Sequence, residues 1–443
     1  MKEDDRIPNK NVLDDIIYTN DKCIGCNKCI SVCPVPFANV VVQNQKTGAR
    51  MVKVNTDKCI VCGKCIEVCN HGARTYKDDS KKFFIDLVAG EKITVLIDPA
   101  FKFKYEDIYY NVIGYLKYLG VSHVYNTAYG SDILTWLYAD FLKDNNYNGY
   151  ISSTCPIVIN YIERYKPELI NKLMPFHSPS ICTAIYAKKY LGVSDKLALI
   201  TPCIQKQEDV NGNDVISYHI TFNGLCNMIN GINIEKYEGK EENTFGNGAV
   251  FCLPGGIKDN IESVLDFNYG VLSIHGCNDV KSYLDTYKKY VNNQIMLPTL
   301  IEASNCAKGC VGAITTGRLE KENTTWISAN KFKRQFAQKN KYYIQYVKFE
   351  ERINRMNKIF GKLNKEDFKR NFSCDSSKKI VKENKLSQEE INNVYNSMYK
   401  YTAEDRRRNC SACGYRSCKD MAEAIAHGYN SKENCVFYIQ KRS

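Results

Sequence analysis

Between residues 91 and 320, short apolar runs alternate with stretches of helical pattern. The runs are KITVLID, GYISST, KLALITP, GAVFCLPGG, GVLSIHG and LPTLIEAS. Short apolar runs bounded by turn residues predict buried strands, and their alternation with helices predicts an α/β domain with mostly parallel sheets. Residues 321–403 are charged and mostly helical in pattern. Ser387, with Glu390 three residues on, predicts a capping box opening one helix. No window of eighteen apolar residues occurs, so no membrane span is expected. The first residues, MKEDDRIPNK, lack the apolar run of a signal peptide, and a cytoplasmic protein is expected.

The 443 residues suffice for two or three domains. They include 21 cysteines, which in a reducing compartment point to metal rather than disulfides. The formal net charge is +12. Lysines are scattered and form no stripe with aromatics, so nucleic acid is not expected as a partner. Four iron–sulfur cubanes with their thiolates would lower the charge to about +4.

Eight cysteines fall in two similar blocks, CIGCNKCISVCP and CIVCGKCIEVCN. Both read C-x2-C-x2-C-x3-C, the bacterial ferredoxin spacing, in which the fourth cysteine serves the other cluster. Cys23, Cys26, Cys29 and Cys69 are therefore expected to hold one 4Fe–4S cluster. Cys59, Cys62, Cys65 and Cys33 are expected to hold the second. A zinc site would need paired knuckles and leave one cysteine over in each block. His71 reads as a loop residue.

Three further runs end in cysteine. GYISSTCP ends in Cys155, LALITPCIQKQE passes through Cys203, and LIEASNCAKGCVG holds Cys306 and Cys310. Chemistry in α/β sheets collects at the carboxyl ends of strands. Four thiolates from three such ends match the ligand count of a cubane. Each alone would read as a buried thiol.

This middle stretch resembles the catalytic domain of the iron-only (di-iron) hydrogenases. That family carries the motifs T-S-C-C-P, P-C-x-x-K-x-x-E or close to it, and E-x-x-x-C-x-x-G-C. Here they read S-S-T-C-P at 152–156, P-C-I-Q-K-Q-E at 202–208 and E-A-S-N-C-A-K-G-C at 302–310. YIERYKPEL, SPSICTA and GAVFCLPGG are also similar. The resemblance implies a two-lobed α/β catalytic domain over 86–350, after a ferredoxin-like α+β domain over 1–85. It implies that Cys155, Cys203, Cys306 and Cys310 hold a 4Fe–4S cluster. Cys310 would bridge to a di-iron subsite with carbon monoxide, cyanide and a dithiolate amine. Lys206 would bond one cyanide, with Glu208 nearby, and Pro99 would line the pocket. The family reaction is reversible formation of dihydrogen from protons and electrons, with a ferredoxin-type redox partner.

One departure concerns the proton route. Where the family has a relay thiol before the ligand cysteine, this chain has Thr154. A thiol titrates near 8.5, whereas a threonine hydroxyl does not titrate near neutral pH. The family's acidic helix aligns with TWLYADF, placing Tyr138 near one acidic position and Asp140 close by. Thr201 and Ser304 stand where the family often has methionine. A slow hydrogenase suited to sensing dihydrogen or redox state, with a signalling partner, is the expectation.

At the other end, Cys410, Cys413, Cys418 and Cys435 make C-x2-C-x4-C-x16-C around a helix, CKDMAEAIAHG, with Gly428 as its stop. This resembles a small 4Fe–4S domain of redox and corrinoid proteins, with zinc as the alternative, and implies a small helical domain over 404–443 after a helical linker over 351–403. Hydrogenase-like chains with such a tail form a sensory subgroup by resemblance. A cluster at each end would offer electrons two ports. His427 reads as a last-turn residue. Cys182, Cys226, Cys252, Cys277 and Cys374 show no ligand spacing. The competing reading is an electron-transfer or cluster-assembly protein without the di-iron subsite.

Overall fold

The two ends of the chain fold together. In a computed structural model, residues 1–77 and 379–443 form one unit and residues 78–378 form the other. The structure describes residues 15–44, 48–144, 149–207, 215–265, 270–290, 297–317, 325–335, 349–372, 380–381 and 386–442.

In the first unit, β1 (Ile17–Thr19), β2 (Asn39–Gln43), β3 (Arg50–Val54) and β4 (Arg74–Tyr76) make two antiparallel pairs, β1 with β4 and β2 with β3. Two one-turn helices, Lys28–Ser31 and Lys64–Glu67, start after left-handed residues at equivalent places in the two cysteine blocks, Asn27 (φ 65°) and Gly63 (φ 79°). Gly25 and Val61 are also equivalent and also left-handed, at φ 68° and 56°. Valine is strained there, so the loop around the cysteines overrides local preference.

The C-terminal part contributes the helices Gln388–Ser397 and Cys418–Ala426. The first opens on the Ser387–Glu390 capping box. It packs Ile391 and Tyr395 against Cys418 and Ala422 of the second. His427 caps that second helix, and Gly428 follows at φ 72°. This segment lies on the N-terminal part: the Val41 amide donates to Tyr429 O at 2.9 Å, and Arg50 donates to Glu433 O. The Phe37 ring stacks on Tyr429 at 5.5 Å, and Lys58 sits over both rings. At Gly414 (φ 87°) a Cβ would stand 2.8 Å from Asn27 O, so this close approach needs glycine.

The second unit contains β5 (Ile93–Ile97), β6 (Val124–Asn126), β7 (Tyr150–Ile151), β8 (Lys196–Thr201), β9 (Tyr218–Thr221), β10 (Val271–His275) and β11 (Leu300–Ser304). They make two parallel sheets, in the orders β6-β5-β8-β9 and β10-β11-β7. All of β5 and nearly all of β8 is buried, as expected of parallel strands covered on both faces. Each sheet has its own core. Val95, Ile97, Phe101, Ile200 and Phe222 pack around the first. Leu137, Ile257, Ile261, Val271 and Leu300 pack around the second. The two-lobed, mostly parallel α/β architecture of the sequence reading is thus present.

One predicted strand is absent. The apolar run in GAVFCLPGG forms a 3-10 turn, Asn247–Cys252. Its amides are engaged elsewhere: the Asp132 carboxylate, on helix Ala128–Asp144, accepts from Gly246 N at 2.5 Å and Gly248 N at 2.7 Å. Backbone donors held by a buried carboxylate are not free for a strand ladder.

Candidate functional site

Cys155 follows β7, Cys203 follows β8, and Cys306 and Cys310 follow β11. All four line one cavity of about 80 Å³, at the carboxyl ends of strands from both sheets. Three helices begin in its wall with proline at or next to their first position, where the missing N–H costs nothing: Pro99–Lys104, Pro156–Tyr165 and Pro179–Ile185. The Asp98 carboxylate caps the first, accepting from Ala100 N at 2.9 Å. Between Cys306 and Cys310, Gly309 takes φ 69°, and a Cβ there would stand 2.5 Å from Cys252 O.

None of the four cysteines is fully buried, and each lines the cavity. Burial raises the Cys155 thiol, against amide donors at Asn305, Val158 and Ile157. Burial and then Cys155 push Cys203 up to about 12, with Lys206 opposing. Burial, Cys155 and Cys203 raise Cys306, and burial with Asp98 and Cys306 raises Cys310. Buried thiols that raise one another are relieved by a cationic centre, as metal coordination deprotonates a thiol outright.

Thr154, Pro99 and Lys206 also line this cavity. Lys206 is buried, and its ammonium donates to Ser180 Oγ. Burial raises Asp98, and Lys206 opposes the shift. Glu208 and Cys374 lie outside the described residues. Tyr138 and Asp140 are not in the wall: the Tyr138 hydroxyl accepts from Ser153 N at 2.9 Å, and Asp140 pairs with Lys365 at 2.5 Å. Thr201 is buried behind Cys203, accepting from its amide at 3.4 Å.

Sequence reading gave no site role to several wall residues: Asp98, Cys252, His275 and Glu302. Cys252 donates to Ala249 O at 3.2 Å. His275 Nδ1 lies 2.6 Å from Ser304 Oγ, and its Nε2 lies 2.7 Å from Ser273 Oγ. Glu302 Oε1 is 3.6 Å from the same Nε2 and accepts from Gly255 N at 3.0 Å, while its Oε2 accepts from Lys258 N at 2.9 Å. The alternation of β10 and β11 was the available signal, since Ser273 and His275 share a face and pair in register with Glu302 and Ser304.

In the first unit, a cavity of about 20 Å³ is lined by Cys33, Cys59, Cys62 and Cys65, and by no cysteine of the other predicted set. Burial, with Cys59 close by, pushes Cys33 up to about 12. Against a burial penalty, the amides of Arg74, Ala73 and His71 bring Cys69 below its usual value. Buried Arg74 donates to Thr19 Oγ1 at 2.8 Å, Asn39 Oδ1 at 2.7 Å and Cys29 Sγ at 3.6 Å. Its charge also acts on Cys65 and Cys69, so one cation serves both cysteine groups. In the tail, burial raises Cys413, the Tyr415 amide opposes it, and Cys435 and Cys410 add to it. Cys26 and Cys410 are exposed. Among the described residues no three His, Cys, Asp or Glu side chains converge as ligands of one metal ion do. A cubane instead spreads four thiolates over four irons.

Three family models match parts of the chain. Iron only hydrogenase large subunit, C-terminal domain, matches residues 87–313; a 4Fe–4S dicluster domain matches 15–70; the family described as "Putative Fe-S cluster" matches 407–437. No curated protein matches. Among solved structures, one on oxygen inactivation of [FeFe]-hydrogenase is 16% identical with TM-score 0.48, over 65% of this chain and 95% of that one. The HydA(deltaEFG) structure, on stepwise H-cluster assembly, is 16% identical with TM-score 0.46, over 57% and 88%. A single-residue variant of the [FeFe]-hydrogenase HydA1 from Chlamydomonas reinhardtii is 16% identical with TM-score 0.46, over 56% and 87%.

Proposed function

The chain belongs to the iron-only hydrogenase large-subunit family, and from that premise we propose that it reacts reversibly with dihydrogen at the cavity around Cys155 and Cys310. The observation that carries this reading is the meeting of Cys155, Cys203, Cys306 and Cys310 with Lys206, Pro99 and Thr154 in one wall. The residues fit the implied group: four thiols for a cubane, and beside them a buried cation for an anionic ligand. Cys155, Cys203, Cys306 and Cys310 would hold the 4Fe–4S part, with Cys310 shared with a di-iron subsite bearing carbon monoxide, cyanide and a dithiolate amine. When bound, that subsite supplies the redox chemistry that interconverts dihydrogen with protons and electrons.

The chain's own residues bind, exclude water and handle protons. Lys206 is fixed by Ser180 and presents a buried donor to the cavity. Pro99 and Pro156 close the wall with side chains that carry no donor. Thr154 offers a hydroxyl that orients a proton carrier but cannot itself ionise near neutral pH. Loss of a positioned acid–base group costs about 10²–10⁴ in rate, so turnover is slow and the chain suits sensing of dihydrogen or redox state. Cys23/Cys26/Cys29/Cys69, Cys33/Cys59/Cys62/Cys65 and Cys410/Cys413/Cys418/Cys435 would each hold a 4Fe–4S cluster, and these would supply a path for electrons. Exposed Cys26 and Cys410 are where a ferredoxin-type partner exchanges them.

Infrared spectroscopy on anaerobically matured protein, under dihydrogen and under inert gas, tests the reading. Carbon monoxide and cyanide bands that shift under dihydrogen support it. Their absence after maturation with a synthetic di-iron precursor, with iron near about sixteen rather than about eighteen per chain, leaves an electron-transfer or assembly protein. Thr154→Cys should raise hydrogen evolution; no rise would reject the relay explanation for slow turnover.

A further inference from the structure

The cavity's one imidazole among the described residues lies where a proton route would need it. His275 closes β10, the edge strand of its sheet. Its side chain keeps 13% of its surface, while the ring also lines the cavity. On the cavity side, Nδ1 is 2.6 Å from Ser304 Oγ. On the other side, Nε2 accepts from Gly255 N at 3.2 Å and lies 2.7 Å from Ser273 Oγ. The Gly255 amide, shared between Glu302 Oε1 at 3.0 Å and Nε2, favours the neutral ring in the Nδ1–H form, aimed at Ser304. Glu302, buried and fixed by backbone amides, stands 3.6 Å behind Nε2 and stabilises the ring once it is charged.

We propose that His275 is the proton-relay residue of this chain, passing protons from the outer edge of β10 through Ser304 to the cavity. This rests on the hydrogenase reading of that cavity. Nε2 takes a proton from solvent through Ser273, giving imidazolium beside Glu302. The Nδ1–H bond then breaks as a bond forms to Ser304 Oγ, whose own proton leaves into the cavity. One proton moves inward, and the Nε2–H ring returns to its first tautomer by exchange with water at its exposed edge. Burial holds His275 below the usual imidazole value, so it is neutral at rest and charged only in passing. The other charged groups around it are Glu302 on β11, Asp98 and Lys206 in the cavity wall, and Asp279 after the turn at Gly276. The hydroxyl of Thr154 does not titrate in this range, so the imidazole provides a longer route, through Ser304, in place of a thiol at the cavity itself, and turnover stays slow.

The test uses the full chain with all cofactors loaded, in the wild type, His275→Asn, Ser304→Ala and His275→Asn with Thr154→Cys. The infrared bands of the loaded cavity are followed from pH 5.5 to 8.5, beside hydrogen evolution. Expected is a pH-dependent band shift in the wild type whose midpoint moves by at least about one unit, or disappears, in His275→Asn and in Ser304→Ala. Evolution should fall about 10²-fold in both and recover when Thr154→Cys is added to His275→Asn. Bands present in every variant with an unchanged midpoint would overturn the relay and leave the hydrogenase reading standing. Bands missing from the wild type would overturn both.

Discussion

Asn27 and Asn434, 407 positions apart, face each other amide to amide: Asn27 Nδ2 donates to Asn434 Oδ1 at 2.9 Å, and Asn434 Nδ2 donates back at 3.2 Å. Asn27 also donates to Ala412 O at 3.2 Å. Each residue neighbours a cysteine of an expected ligand set: Asn27 lies between Cys26 and Cys29, Ala412 precedes Cys413, and Asn434 precedes Cys435. The expected ports at opposite ends are therefore two cysteine groups in one unit. Equivalent Gly63 meets the same backbone demand, so the side chain of Asn27 serves the tail.

Asn27→Gly keeps the left-handed turn and removes that bridge. Buried Asn434 then lacks its partner, at about 1–3 kcal/mol. Limited proteolysis should cut within 386–442 several-fold faster, with the clusters of the N-terminal blocks retained. Unchanged cutting would mean the bridge contributes nothing to docking.

Arg74→Met removes the cation shared by the two N-terminal cysteine groups. Each reduced cluster then loses a nearby positive charge, and its potential should drop by on the order of 100 mV. Arg74→Lys should recover most of this. Redox titration followed by electron paramagnetic resonance reads both.

Gly309→Ala forces an L residue to φ 69° and places its Cβ against Cys252 O. With ψ −168° this backbone lies in a region that is essentially glycine-only, and it alone costs about 1–3 kcal/mol. The loop between Cys306 and Cys310 should shift, and iron should fall by about four per chain, one cubane. Spectra of the remaining clusters should persist.

Burial lifts Asp132 from 3.8 to about 6, against the amides of Gly246 and Gly248. The folded chain therefore holds this proton at a pH where the unfolded chain has lost it. Stability from this group is present in acid and is lost as pH rises through about 6. Going from pH 8 to pH 5, the wild type should gain about 1.4 kcal/mol relative to Asp132→Asn. Denaturant unfolding at the two pH values measures it, and a gain of opposite sign would refute the assignment.

The cysteine blocks stand out in the sequence because ligand spacing is written locally, and folding brings Cys33, Cys59, Cys62 and Cys65 to one cavity. The strand-end cysteines followed from the apolar runs preceding them. GAVFCLPGG misled because an apolar run has no period of its own, and Asp132, more than a hundred residues away, holds its amides. His275 and Arg74 were illegible for a related reason. Each is a lone residue whose meaning comes from partners brought near by folding: Ser304 and Glu302 for one, Cys29 and Asn39 for the other.

The division at 77/78 and 378/379 sets an order of assembly. On the ribosome, the first cysteine blocks emerge about 300 residues before the segment that completes their unit, an interval of about 15–60 s. The unit of residues 78–378 is an uninterrupted stretch and is fully synthesised within that interval. The unit with the N-terminal and tail cysteines is begun first and finished last, so the fold around the Cys155–Cys310 cavity is complete before the unit that joins the two ends of the chain.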